Sequence, residues 1–349
     1  MAPISQNWIW ANEDRLMKIA FYSAHLGLRG TEVTMYDYAR YSEELLGNES
    51  IIIYHKNHFR NNQSVIEKFS NRFKVYPIDD FEYDVDNVNR TAPGLVLKLE
   101  EVMDKESCDA IYMQKGGFND GVFSKRFKTL VLCCTMVDPR KEKHGDRYAF
   151  ISNWLSRVCS NGETPVVPSM VTLPNVEEDL RSELNIPKEA IVFGRTGGED
   201  TWNLPFTNQV IQILLQRRKD IYFLFQSTPK FIDHPNVIHI PSGADVIYKT
   251  KFINTTDAMI HSRHEGESFG VACGEFSIRN KPVITWSLSK ERNHIEILGN
   301  KGVYYDTPQS LYDTLMSFEK RPDEDWNCYR DYSPEKVMKK FKDIFLNDL

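Results

Sequence analysis

Two glutamates, Glu267 and Glu275, stand eight positions apart in the stretch DAMIHSRHEGESFGVACGEFSIRNKPVIT, which runs from 257 to 285. An ionised carboxylate only accepts hydrogen bonds, so such a pair can hold vicinal hydroxyls by charge-assisted bonds. The apolar run ending at Arg263 reads as a strand, and the sequence from Ser268 or Phe269 onward is compatible with a helix. That spacing puts Glu267 at the turn and Glu275 about two helical turns inside. The backbone N–H groups of Ser268, Phe269 and Gly270 would then meet a polar sugar or an anion at the positive end of the helix. His261 and Arg263, at the strand end, point toward the same region.

The stretch resembles the signature of retaining GT-B glycosyltransferases of the group-one, family-four class. There a glutamate, seven residues and a second glutamate occur in the string EGFGLxxxEAMAxGxPV, and this chain reads ESFGVACGEFSIRNKPV. The resemblance implies that Glu267 contacts donor sugar hydroxyls and Glu275 the ribose. In IVFGRTGGEDTWNLPF it implies that Arg195, just after a strand, neutralises the donor diphosphate. The family often adds a lysine five residues later, where this chain has Asp200. That charge must come from elsewhere, from Lys249 or Lys251, or be replaced by the amides of Gly197 and Gly198 in an anion-binding turn. The loop FYSAHLGLRGTEV resembles the family's glycine-rich loop ending GGxE, with Gly27 and Gly30 as close-approach positions and Arg29-Gly30 where a double glycine is usual. It is not a dinucleotide fingerprint, because G-x-G-x-x-G is absent. Many relatives place a histidine at the end of a central strand of the N-terminal domain, a position that falls here near Cys134 and Thr135. His144, Lys115 and Asp138 are the alternative candidates for acceptor or phosphate contact.

For this class the implied route is front-face substitution with retention. The leaving diphosphate oxygen accepts the acceptor proton, and Arg195 and helix amides stabilise the developing charge. Arg195 and Glu267 would be the catalytic pair, and neither a metal nor a cofactor is required. The substrate would be a nucleotide-sugar, UDP-sugar favoured and GDP-sugar allowed by the loop IPSGADVIYK at 240–249, and the acceptor a glycan or another hydroxyl compound. The D-x-D string Asp84-Val85-Asp86, in DDFEYDVDN, reads as a solvated acidic turn rather than a metal-diphosphate site. A nucleotide-sugar epimerase and a non-catalytic sugar-nucleotide-binding protein are the competing readings. The first needs acid/base carboxylates around the sugar.

Elements that position these residues are legible as two alternating series. A strand at 17–23, a glycine loop and a helix ending at Gly47 are followed by strands at 51–56, 73–78, 109–114 and 129–137, with helices at 64–72 and 93–104. The segment 160–187 holds four prolines and no periodic run, which marks a boundary. Beyond it come strands at 190–195, 221–227, 237–241, 257–263 and 282–286, the last clear ones. The expected fold is α/β: two Rossmann-like doubly wound domains facing a cleft, the GT-B arrangement. Residues 1–16 read as an extension, 17–164 as the acceptor-side domain, 165–332 as the donor-nucleotide domain, and 333–349 as a helix crossing back.

With 349 residues, 41% of them hydrophobic, the chain has material for two cores. A net charge of -6 carries no basic excess, which argues against nucleic acid as a partner. The six cysteines form no CxxC and have no histidine at ligand spacing, which suits a reducing cytoplasm. No run of 18 uncharged apolar residues predicts a membrane span, while peripheral association stays open.

Overall fold

The computed structural model describes residues 16–79, 93–241 and 243–347. Nearly all of the expected N-terminal extension and the Asp84-Val85-Asp86 string lie outside them, as does Ser242 in the loop expected to meet the base.

The N-terminal half contributes β1 Lys18–Ser23, β2 Glu49–His55, β3 Lys74–Ile78, β4 Ala110–Lys115, β5 Lys128–Cys133 and β6 Arg147–Phe150. Between them run α1 Gly30–Leu46, α2 Gln63–Ser70, α3 Pro93–Glu106 and the single turn α4 Pro139–Glu142, with α5 Asn153–Ser160 following β6. The central strands are buried along almost their whole length, Ile19 to Tyr22 and Ser50 to His55 for instance. Continuous burial of this kind is what a parallel sheet covered by helices on both faces requires. The six strands pair in parallel in the order β3-β2-β1-β4-β5-β6.

The C-terminal half supplies β7 Ile191–Arg195, β8 Ile221–Gln226, β9 Val237–Ile240, β10 Ala258–His261, β11 Gly266–Glu267, β12 Val283–Trp286, β13 Glu291–Arg292 and β14 Val303–Tyr305. Its helices are α6 Pro205–Arg217, α7 Val246–Thr255, α8 Val271–Ile278, α9 Asn293–Leu298, α10 Pro308–Met316 and α11 Pro334–Phe341. The main sheet is again parallel, in the order β14-β12-β10-β7-β8-β9, and β11 pairs only with β13. Counted within its own half, each sheet runs third, second, first, fourth, fifth, sixth. The winding therefore reverses beside β1 and β4 in one half and beside β7 and β10 in the other. Crevices beyond the carboxyl ends of those strands are where such sheets bind ligands.

The expected strands recur within a few residues, with instructive departures. The run read as a strand over 129–137 ends at Cys133, because Asp138 caps α4 and Pro139 opens it. β6 and β14 are four and three residues long and escaped a periodicity reading. Residues 246–249, expected as loop, belong to α7, whose first turn is capped by Asp245 accepting from the N–H groups of Ile247 (2.8 Å) and Tyr248 (3.1 Å).

The chain passes between the halves twice. On the outward passage Val167 bonds to Phe150 at the edge of β6, and Tyr38 of α1 donates its hydroxyl to the Pro168 carbonyl at 2.6 Å. On the return, α11 lies against α1, with Phe341 packed on Tyr38 and Tyr112 of the N-terminal core. The two passages bond to each other, Val171 N–H to the Tyr332 carbonyl at 2.8 Å.

Candidate functional site

Glu267 sits in β11, in the loop region between β10 and α8. His261, the last residue of β10, donates from Nε2 to Oε1 of Glu267 at 3.1 Å, and Arg263 donates from Nη1 to Oε2 at 2.9 Å. Burial opposes the carboxylate's charge, but His261 and Arg263 outweigh it and hold the carboxyl down at about 2. Behind His261 the hydrogen bonds continue inward. Its Nδ1 meets the Thr285 hydroxyl at 2.9 Å, and that oxygen meets Nε2 of His294 at 3.1 Å. His294 is fully buried, and burial lowers its pKa to about 3, so the ring is neutral.

Two glycines give this loop its shape. Gly266 has φ +76, and a Cβ there would stand 2.0 Å from the Glu291 carbonyl, so only glycine lets β11 lie on β13. Gly270 has φ +94, and a Cβ would meet Cβ of His294 at 2.9 Å. This left-handed residue stops the helix from extending backward, so α8 begins at Val271 and not at Ser268 or Phe269 as expected. Glu275 is therefore the fifth helical residue, little more than one turn inside rather than two. Phe269 is buried against Tyr329 and Tyr332, so its side chain serves the packing of the return passage rather than a ligand.

Glu275 faces a different neighbour. It is buried and ion-paired with Lys249 of α7, a contact that joins two candidates the sequence treated separately. Lys251, the other lysine considered, is not among the residues lining the cleft described below.

Arg195 closes β7 and is buried. Its Nη1 donates to the carbonyls of Gln226 (3.2 Å) and Ser227 (2.8 Å) and to Oγ1 of Thr228 (2.6 Å), while Nη2 donates to the Gly198 carbonyl (2.6 Å) and Oγ1 of Thr201 (2.5 Å). Burial lowers its pKa to about 10, which leaves it charged. Those five bonds spend both terminal nitrogens on two loops, so the guanidinium ties the turn Gly197–Thr201 to the end of β8 instead of pointing into the cleft.

A cleft of about 510 Å³ opens between the halves. Gly27, Gly30, Gly197, Gly198, Lys249 and Glu275 all line it, four glycines facing one another across the two switch points. Gly27 is also fixed by the fold itself, since a Cβ there would approach the Arg60 carbonyl to 2.8 Å. Glu267, His261 and Arg263 do not line this cleft; they form a separate cluster joined to it through Gly270 and the start of α8. Further acids were missed by the sequence reading, among them Asp37, which lines the cleft and has its pKa raised to about 7 by burial. Glu32, buried in α1 and lining the cleft, has its pKa raised to about 7 by burial, and so has Glu291, whose burial outweighs the opposing charge of Arg263. His25 lies 3.6 Å from Glu32, but burial lowers its pKa to about 4, so the contact joins a neutral ring to a half-protonated acid.

The acceptor-side candidates fall elsewhere. Lys115 binds its own loop, Asp120 Oδ1 at 2.7 Å and the Val122 carbonyl at 3.0 Å. Asp138 caps α4 and pairs with Arg140. His144 is buried between Phe123 and Tyr148, with Nδ1 at 2.7 Å from the Glu142 carbonyl. None of the three lines the cleft. Among the described residues no group of three or more His, Cys, Asp or Glu is gathered as for a metal ion, all six cysteines are free, and no helix is long and apolar enough to cross a membrane.

No protein-family model and no curated protein sequence matches the chain. Solved structures do share its fold. A glycosyltransferase of Rickettsia africae ESF-5 superposes with a TM-score of 0.68 at 13% identity, over 95% of this chain and 100% of that one. Anabaena HepE, in complex with UDP and glucose, gives 0.69 at 13% identity over the same shares. A UDP-N-acetylglucosamine 2-epimerase gives 0.59 at 11% identity, over 95% of each chain. Likeness at such identities defines the fold: this chain has the GT-B architecture of two Rossmann-like domains facing a cleft.

Proposed function

We propose that the chain is a glycosyltransferase that moves a sugar from a nucleoside-diphosphate donor, a UDP-sugar in preference to a GDP-sugar, to a hydroxyl of a glycan or other acceptor. The observation that carries this reading is the cleft, where glycine turns from both switch points meet beside the Glu275–Lys249 pair. The cleft-lining Gly197-Gly198 turn suits a diphosphate through its amides, and a carboxylate at Glu275 suits ribose hydroxyls. Glu267, held ionised by His261 and Arg263, suits the hydroxyls of the donor sugar. Arg195 serves as a positioning residue that fixes the glycine turn.

In this scheme the bond from the sugar carbon to the diphosphate oxygen breaks, and a bond to the acceptor oxygen forms on the same face, giving retention. The acceptor proton passes to the departing diphosphate. Binding energy and fixed dipoles carry the catalysis, without metal or cofactor. Free cysteines fit a reducing, cytoplasmic setting, and peripheral membrane contact is compatible with the acceptor side.

A second reading, nucleotide-sugar epimerisation, is supported by the half-protonated Glu32 and Glu291, since that chemistry needs acid and base carboxyls, and by the fold shared with an epimerase. Incubating the protein with UDP- and GDP-sugars with and without hydroxyl acceptors, and resolving products by mass and NMR, separates the two. Acceptor-dependent glycoside with retained configuration, lost in Glu267→Ala, supports transfer; an epimeric nucleotide-sugar formed without acceptor overturns it. EDTA should leave transfer unchanged.

A further inference from the structure

The two places where the chain departs from the family pattern in its phosphate region meet in space. Nη2 of Arg29 lies 3.4 Å from Oδ2 of Asp200, joining residues 171 positions apart across the cleft. Arg29 belongs to the loop leading into α1, between cleft-lining Gly27 and Gly30; Asp200 belongs to the short helical turn Glu199–Thr201, directly after cleft-lining Gly197 and Gly198. Both side chains keep substantial exposure, 48% for Arg29 and 69% for Asp200.

Four cations line the cleft among the described residues: Arg29, Arg40, Lys68 and Lys249. Lys249 is paired with buried Glu275, and Arg40 is paired with Glu44 at 2.9 Å. Lys68 lies over the Tyr36 ring at 4.2 Å, and burial lowers its pKa. Outside the lining, Arg195 is consumed by five internal bonds and Arg263 by Glu267. Arg29 differs from all of these, because its partner is one solvated carboxylate at long range, and ion pairs of that kind are held weakly. A diphosphate carries more charge and matches the planar fork of a guanidinium with two oxygens at once.

We propose that Arg29 is the cation this protein brings to the donor diphosphate, and that Asp200 is the carboxylate it exchanges for it. The inference rests on the reading of the cleft as a nucleotide-sugar site. Its consequence is that the phosphate charge is supplied by the N-terminal domain, so the nucleoside diphosphate is gripped from both sides. Asp200 parks the guanidinium at the cleft mouth and sets the affinity through competition.

Calorimetric titration of the full chain with UDP, GDP, uridine and guanosine tests this. Arg29→Gln should weaken the preferred nucleoside diphosphate at least tenfold while leaving the nucleoside unchanged, and Arg29→Lys should restore part of the loss. Asp200→Asn should tighten the diphosphate severalfold, and only when Arg29 is present. Equal diphosphate affinity in wild type and Arg29→Gln, or weakening in Asp200→Asn to match Arg29→Gln, overturns the exchange and leaves the cleft reading standing. Wild-type protein that binds neither diphosphate overturns the cleft reading itself. Thermal unfolding of each variant confirms that the fold is intact.

Discussion

Nε2 of His261 lies 3.1 Å from Oε1 of Glu267, and the same imidazole is held from behind by Thr285 at 2.9 Å. One proton arrangement serves the whole line: with His294 neutral, its Nε2–H donates to the Thr285 oxygen, the Thr285 hydroxyl donates to Nδ1 of His261, and Nε2–H of His261 donates to Glu267. The carboxylate is thus oriented by a chain of bonds that begins in the core of the C-terminal domain.

Replacing Glu267 by Gln keeps the shape and removes the charge. A hydrogen bond to a charged group is worth about 1.5–3 kcal/mol, so kcat/KM for sugar transfer should fall roughly 10- to 100-fold. Nucleoside diphosphate affinity, measured separately, should change little, because Glu267 lies outside the cleft proposed to hold the nucleotide. An equal loss in both measurements would assign Glu267 to the nucleotide instead.

Arg195→Lys retains one positive charge and loses the fork that reaches two loops. Lysine cannot span Gln226, Ser227, Thr228, Gly198 and Thr201 together. Stability should drop by about 2–4 kcal/mol in urea unfolding, through buried carbonyls left without donors. Unaltered stability with abolished phosphate binding would show the guanidinium to be a ligand-contacting group.

Glu32 links folding to pH. Its pKa rises from the ordinary 4.5 to about 7 through burial, so the folded state resists its ionisation. The stability it permits is fully present below pH 4.5 and is lost as pH rises through 7, by roughly 3 kcal/mol at most. Glu32→Gln should therefore raise Tm at pH 8 relative to wild type and leave it nearly unchanged at pH 4.5. A Tm difference that does not vary with pH would rule out this assignment.

The α/β winding was legible because its strands are long apolar runs closed by glycine or polar loops: Ile51 to Tyr54 announces a buried strand on its own. β6 was not legible, because Arg147 to Phe150 is too short for periodicity and owes its burial to tertiary contacts, pairing with β5 among them. Glu267 and Glu275 were singled out by type and spacing, and His261 and Arg263 by their place at the strand end, but the pairing of Lys249 with Glu275 was not foreseen, since Lys249 comes from another helix, nor was the line from His261 through Thr285 to His294. The start of α8 was misread because Ser268 and Phe269 have acceptable local propensity, while the left-handed turn at Gly270 belongs to a position where any Cβ would meet His294. Arg195 illustrates the remaining gap. Its type promised a phosphate ligand, and only the fold shows that both terminal nitrogens are committed to two loops. Glu291 carried no motif at all, and Glu32, at the glutamate position of the GGxE-like loop, went unassigned; what distinguishes both is burial, which no local pattern encodes.

The paired passages between the halves have a mechanical consequence. Because Val171 and Tyr332 are bonded side by side, both connections cross at one spot, braced by Phe269 against Tyr332. A tether of this form resists sliding and leaves a swing about that spot as the low-cost relative motion. In such a clamshell, distance from the pivot sets travel, so a bond at the far lip acts with long leverage and a bond near the pivot with little. The weakest cross-cleft contact then has more say over the angle of the shell than its strength alone would suggest.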